Sequence, residues 1–156
     1  MSLGNKLKEG REKNGLSQDA FAKLLGIKSG LTINNWELNL SNPSVRKLKS
    51  ICKTLAVSPE FILDLEMSFA DGQSEVDIRT YLENTPSLGA RIHKVRELKR
   101  MTIESLTALA GVKSPDSISN WENNLSVPNI DAFRKLCIAL RVSPKHLLNC
   151  YPPDKQ

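Results

Sequence analysis

A twelve-residue segment occurs twice in this chain, as GIKSGLTINNWE at residues 26–37 and as GVKSPDSISNWE at residues 111–122. Seven of its twelve positions are identical in the two copies. The match extends outward, because residues 3–63 align with residues 88–148 at a constant offset of 85 without a gap, and 22 of the 61 aligned pairs are identical. Chance does not produce a repeat of this quality, so the chain is an internal duplication.

Each copy has the pattern of five short helices. Apolar residues recur at intervals of three and four, which is typical of helices, and no strand pattern remains. Gly26 and Gly111 supply a residue that tolerates the left-handed conformation in which helices often end. Ser58-Pro59, repeated 85 residues later, places a capping hydroxyl before a proline and so signals the start of a helix. The sequence therefore predicts an all-α chain.

Further motifs accompany the repeated segment. They are Ser17-Gln18, Pro43 and Leu55-Ala56-Val57-Ser58 in the first copy, and Pro128 and Leu140-Arg141-Val142-Ser143 in the second. Together with the repeated segment, these motifs resemble the lambda-repressor-like, Cro/cI-type (XRE) helix-turn-helix family. The resemblance implies two tandem five-helix domains in which the third helix enters the major groove of DNA. The chain departs from the family in two ways: Ile103 stands at the Gln18 position of the second copy, and the glycine-to-tryptophan spacing is one residue longer than the commonest.

Charge divides the chain into segments. Residues 1–66 contain ten basic and seven acidic side chains, residues 67–86 contain one and four, and residues 87–151 contain ten and five. We therefore expect basic helix-turn-helix domains at 1–66 and 87–151, an acidic linker at 67–86 that is helical in part, and a tail at 152–156. A basic balance is compatible with nucleic acid as a partner.

We expect each copy to contact double-stranded DNA from several places. The outward face of the third helix carries short polar groups that read base edges, and Asn35 and Asn120 suit bidentate hydrogen bonds to adenine. Ser17 and Thr102 begin helices whose free N–H groups suit a phosphate. The resemblance implies further contacts from the turn and from the loop after the third helix. The predicted DNA-binding residues are Ser17, Gln18, Lys28, Ser29, Leu31, Thr32, Asn34, Asn35, Asn39 and Ser41 in the first copy, and Thr102, Lys113, Ser114, Asp116, Ser117, Ser119, Asn120, Asn124 and Ser126 in the second.

Other chemically distinctive residues have structural explanations. Trp36 follows an isoleucine by three positions, and this register places it and its copy in the core rather than against a base. The resemblance implies that Glu37 pairs with Arg11 of the first helix, and that Glu122 pairs with Arg96. A buried pair of this kind is structural and costly to break.

The sequence lacks the signatures of several other protein classes. No apolar run approaches the roughly 18 residues of a membrane span, and no catalytic or phosphate-loop motif is present. Only two histidines and three cysteines occur, without a Cys-x-x-Cys pair, so we expect neither a metal site nor a cofactor. Such cysteines suit a reducing compartment, and we expect a cytoplasmic, nucleoid-associated protein that is not an enzyme.

Two functions remain open from the sequence. The first is a sequence-specific, repressor-like transcriptional regulator that reads two DNA half-sites through the third helix of each repeat. The second is a protein-interaction or antitoxin-like module in which one repeat has lost DNA binding. Asp116 favours the second function for the later copy, because an acid near phosphate is unfavourable unless it meets a cytosine amine. The larger positive charge of that copy favours the first function, and homodimerisation is left open.

Overall fold

The structure is a computed structural model that describes residues 1–65 and 75–151. The chain divides into two compact units: unit 1 includes residues 1–65 together with Cys150, and unit 2 includes residues 75–149. All the regular secondary structure of the described residues is helical, as the sequence predicted.

The described residues form the same five helices in each unit. Those of unit 1 are α1 (Leu3–Lys13), α2 (Gln18–Leu24), α3 (Gly30–Glu37), α4 (Val45–Leu55) and α5 (Pro59–Leu63). Those of unit 2 are α7 (Leu88–Leu98), α8 (Ile103–Ala110), α9 (Pro115–Glu122), α10 (Ile130–Leu140) and α11 (Pro144–Leu148), and α6 (Glu75–Tyr81) precedes them. The predicted tandem five-helix architecture is confirmed, with one helix added to it.

The second helix of each unit begins and ends where local chemistry dictates. The Ser17 and Thr102 side chains each accept a hydrogen bond from the backbone N–H three residues later, at 3.0 Å, which satisfies a donor that the helix itself leaves free. Gly26 and Gly111 follow the two helices with φ of +70° and +64°, values that glycine adopts without strain. The turn between the second and third helices is therefore fixed by the same residues in both copies.

At five fully buried positions the two cores use the same set of side chains in a different order. Fully buried positions are Leu7, Phe21, Ile33, Leu48 and Ile51 in unit 1, and the equivalent Ile92, Leu106, Ile118, Phe133 and Leu136 in unit 2. Each set contains one phenylalanine, two leucines and two isoleucines, so the total volume of the set is conserved. The phenylalanine lies on the second helix in unit 1 (α2) and on the fourth helix in unit 2 (α10). Trp36 joins the core of unit 1 as predicted, whereas Trp121 is only half-buried.

The described part of the predicted linker, residues 75–86, is attached to unit 2. Ile78 and Leu82 are buried. The buried guanidinium of Arg91 on α7 donates hydrogen bonds to the carbonyl oxygens of Leu82 and Thr85, at 3.2 and 2.5 Å. The acidic composition that suggested a separate linker thus belongs in part to a helix of unit 2. The rest of the predicted linker and the predicted tail lie outside the described residues.

The first helix of each unit passes very close to the end of the third. A Cβ atom at Gly4 would collide with the carbonyl oxygen of Glu37, and one at Gly89 would collide with the carbonyl oxygen of Trp121. Both obstacles are backbone atoms, which cannot rotate away as a flexible side chain would. Glycine at these two positions therefore sets how close α1 lies to α3, and α7 to α9.

We predict that Gly4→Ala lowers the free energy of unfolding by about 1–3 kcal/mol, because the added methyl group must push the α3 backbone away. Urea denaturation followed by tryptophan fluorescence measures the change. Asn5→Ala, at the exposed neighbouring position of α1, is the matched control and should change stability by no more than about 0.5 kcal/mol. Equal stability of the two variants would contradict the close approach.

Candidate nucleic-acid interface

The third helices, α3 and α9, have the same local geometry. Ser29 and Ser114 precede them with φ of −149° in both units and ψ of 142° and 141°. Each serine hydroxyl accepts a hydrogen bond from the backbone N–H two residues later, at 3.1 and 3.2 Å. Ile33 and Ile118 hold the inward faces and are fully buried. Equivalent residues of α3 and α9 therefore occupy equivalent positions on each unit.

An arginine–glutamate pair, buried in unit 1 and half-buried in unit 2, joins the first helix to the third in each unit. Arg11 donates to Glu37 through Nε–Oε1 at 2.5 Å and Nη2–Oε2 at 3.1 Å, and Arg96 donates to Glu122 through the same atoms at 2.6 and 3.3 Å. The hydrogen bond to Glu37 raises the pKa of the Arg11 guanidinium, against the opposing effect of burial. The pairing that the family resemblance implied is confirmed in both copies.

In unit 1 the same ion pair also holds Gln18 of α2. Gln18 Nε2 donates to Glu37 Oε2 at 2.9 Å and to Asn34 Oδ1 at 3.2 Å. Because a carboxylate only accepts, Glu37 fixes which end of the Gln18 amide faces inward, and Gln18 in turn holds the oxygen of Asn34. Both residues were predicted to contact DNA, yet the structure uses both Nε2 hydrogens of Gln18 inside the unit.

In unit 2 a side chain of the first helix, rather than of the second, lies beside the ion pair. Ile103 stands at the Gln18 position and cannot donate a hydrogen bond. The His93 imidazole of α7 lies instead beside the pair, with Nδ1 3.2 Å from Arg96 Nη2 and 3.4 Å from Glu122 Oε1. Its Nε2 lies 3.1 Å from Glu97 Oε1. The sequence did not single out His93, since no local pattern brings residue 93 to residue 122.

Asn39 and Asn124, also predicted to contact DNA, each cap a first helix. Their backbones have φ of +60° and +59°. Each Oδ1 accepts a hydrogen bond from the backbone N–H of Gly4 or Gly89 at 3.0 Å, and each Nδ2 donates to a serine hydroxyl two residues before that glycine. The amide groups are thus occupied within their own units. The repeated Ser-x-Gly at the start of both first helices was a signal that the sequence analysis did not use.

The remaining predicted DNA-binding residues lie on or next to the second and third helices. Those that are exposed are Ser17, Lys28, Ser29, Leu31 and Ser41 in unit 1, and Thr102, Lys113, Asp116, Asn120 and Ser126 in unit 2. Those that are half-buried are Thr32 and Asn35 in unit 1, with Ser114, Ser117 and Ser119 in unit 2. Each unit therefore presents an accessible face of mainly short polar groups on the side of the third helix that lies opposite its buried isoleucine.

A helix-turn-helix family model matches this chain twice, over residues 7–62 and residues 92–147. The matches cover more than half of the 156 residues, and the chain therefore belongs to the Cro/cI-type (XRE) helix-turn-helix family. No curated protein and no solved structure gives a significant match to it.

Proteins of this family bind DNA, and the duplicated match makes this chain a DNA-binding regulator of that type. The family is not an enzyme family. Among the residues that the structure describes, no helix is long and apolar enough to cross a membrane.

We predict that Glu37→Ala lowers the free energy of unfolding by about 3–5 kcal/mol, because it leaves the Arg11 guanidinium buried without its counter-charge. Denaturation monitored by tryptophan fluorescence, to which Trp36 at the end of the same helix contributes, measures the loss. Glu9→Ala removes an exposed ion pair with Lys13 and serves as the control, with an expected change below about 1 kcal/mol. A loss no larger than that of the control would show that the buried pair is dispensable.

Proposed function

We propose that this protein is a sequence-specific, repressor-like transcriptional regulator that reads two half-sites of double-stranded DNA, one through α3 and one through α9. The supporting observation is that both third helices have a buried apolar side and an accessible side of mainly short polar groups. An α-helix fits the major groove of B-DNA, where each base pair presents its own pattern of donors and acceptors. The protein would act in the cytoplasm, at the nucleoid.

Base reading in this proposal falls first to Asn35 and Asn120, at equivalent positions of α3 and α9. Asn35 is half-buried and Asn120 is exposed. Within the described residues neither side-chain amide has a hydrogen bond, in contrast to Asn34, so both retain a free donor and a free acceptor. That combination matches N7 and the N6 amino group of adenine.

Phosphate contacts in this proposal come from both units. Lys28 and Lys113 are exposed in the turn that precedes each third helix. The hydroxyls of Ser17 and Thr102 accept from their own helices, and each retains its hydrogen to donate to a phosphate oxygen. Contacts of this kind fix the register of the protein on the duplex without reading its sequence.

The covalent duplication supplies both readers in one chain. After one unit docks, the other binds its half-site at an elevated effective concentration. The two accessible faces differ at several positions, including Leu31 against Asp116 and Thr32 against Ser117. A pair of non-identical readers favours an asymmetric site over a perfect palindrome.

A second candidate function applies to unit 2 alone. Asp116 is exposed on the face that would meet DNA, and Ile103 replaces the glutamine that unit 1 carries at the start of its second helix. An acidic group near the phosphate backbone is unfavourable unless it accepts a hydrogen bond from a base amine. Unit 2 would then bind a protein partner while unit 1 binds DNA.

We predict that the full chain selects specific duplexes from a random library, and that Asn35→Ala and Asn120→Ala each relax base choice at one position. Affinity for the selected duplex should fall by the equivalent of roughly 1–3 kcal/mol for each variant. Ser41→Ala, in the loop after α3, is the control that should weaken binding without changing the selected sequence. If both asparagine variants select the wild-type sequence, they do not read bases.

We predict a steep fall of affinity with salt, and a log–log slope that becomes smaller by about 1 in Lys28→Ala and in Lys113→Ala. Titration of a labelled duplex at several salt concentrations measures the slope. Lys13→Ala, which removes a lysine paired with Glu9 on α1, is the matched control with an unchanged slope. An effect of Lys28→Ala alone would favour the interaction-module function for unit 2.

A further inference from the structure

Position 31 of unit 1 and position 116 of unit 2 are equivalent, and both lie in the first turn of a third helix. The serine caps before them have the same backbone angles within 1°, and their neighbouring isoleucines are buried to the same extent. The side chains of Leu31 and Asp116 therefore project from matching points of the two units. They are chemically opposite, since one is apolar and the other is an anion.

Leu31 is 65% exposed in a face that is otherwise mainly polar. Its burial against an apolar group of a partner would be favourable, because the side chain gains by leaving water. Of the groups that base pairs present in the major groove, the C5-methyl of thymine is the apolar one. A leucine in the first turn of a helix that enters this groove is thus matched to thymine.

Asp116 presents a carboxylate, which accepts hydrogen bonds and repels phosphate. It is exposed, and within the described residues its side chain has neither an ion pair nor a hydrogen bond. The complementary group in the major groove is an amine, and the N4 amino group of cytosine is the amine that a carboxylate recognises there. The same helical position is thus matched to cytosine in unit 2.

Internal hydrogen bonds restrain Gln18 and Asn34 of unit 1, and they leave Leu31 as a more accessible side chain than either amide. Gln18 donates both Nε2 hydrogens to Glu37 and Asn34. The oxygen of Asn34 is consequently held toward α2. Leu31, in contrast, is exposed, while Thr32 and Asn35 of the same helix are half-buried.

We propose that this shared position sets one base difference between the two half-sites, with Leu31 selecting thymine and Asp116 selecting cytosine. The inference rests on the proposed function, since it requires α3 and α9 to enter the major groove.

Reciprocal substitution in the full chain tests the proposal. Selection of duplexes from a random library is carried out with the wild type, Leu31→Asp, Asp116→Leu and the double variant. We expect Leu31→Asp to change one thymine of one half-site to cytosine, Asp116→Leu to change one cytosine of the other half-site to thymine, and the double variant to make both changes. Both positions are exposed, so the variants should keep the wild-type melting temperature, which is measured alongside.

Removal of one methyl group provides an independent readout. In the selected duplex the thymine assigned to Leu31 is replaced by deoxyuridine, which keeps every hydrogen-bonding group and lacks only the C5-methyl. Wild-type affinity should fall about fourfold, as expected for one buried methyl group. Leu31→Asp should bind the thymine and uracil duplexes equally, and Leu31→Ala should show a smaller difference than the wild type.

The outcomes distinguish a failure of the proposed function from a failure of the base assignments at positions 31 and 116. If the wild type enriches no duplex, the proposed function fails and this inference fails with it. If duplexes are enriched but the thymine and the cytosine persist in the substituted chains, the proposed function stands and this inference is overturned. An unchanged affinity after deoxyuridine replacement at every selected thymine would likewise overturn the assignment of Leu31.

Discussion

The buried ion pair between the first and third helices is the interaction on which the geometry of each unit depends. One guanidinium binds the carboxylate of the third helix and also donates to the carbonyl oxygen before the second helix, Leu16 in unit 1 and Met101 in unit 2. It therefore ties three parts of the chain together. Such pairs add little net stability, because removing both charges from water costs nearly as much as their attraction returns. Their contribution here is orientation, since a third helix that rotates or slides leaves a buried charge unpaired.

Around this constant pair the two units have diverged in ways that preserve the scaffold and alter the accessible face. At five fully buried positions the cores exchange side chains while the composition of the set stays the same. The buried cation at the Lys6 position binds the carbonyl of Phe61 in unit 1, and the equivalent Arg91 binds that of His146 while also donating to the carbonyl of Leu82, just after α6. Backbone contacts and the conserved volume of the core side chains maintain the scaffold, so the surface residues are free to change. The two copies of the duplicated chain therefore carry different accessible faces on α3 and α9.

Much of the fold was predictable because its signals are local. Hydroxyl caps, helix-ending glycines and apolar spacing act over a few residues, and the constant offset of 85 allowed each signal in one copy to be checked against the other. The candidate site was less predictable. Gln18 and Asn39 have the right chemistry for DNA contact, but their amides are used inside the unit. Gln18 contacts Glu37, which is 19 positions away in sequence, and Asn39 contacts Gly4, which is 35 positions away. A polar residue at the right helical position is equally consistent with a base contact and with an internal brace.

The sequence alone established the duplication, the all-α class, the order of the five helices in each copy and the residue types on the outward side of each third helix. These properties follow from periodicity and from short-range backbone chemistry. Folding in three dimensions settled which polar side chains are occupied within a unit, that His93 replaces Gln18 beside the ion pair, and that α6, formed by part of the acidic segment, belongs to unit 2. The physical reason is that hydrogen-bond partners are chosen by proximity after the helices pack, and packing brings together residues that no local pattern connects.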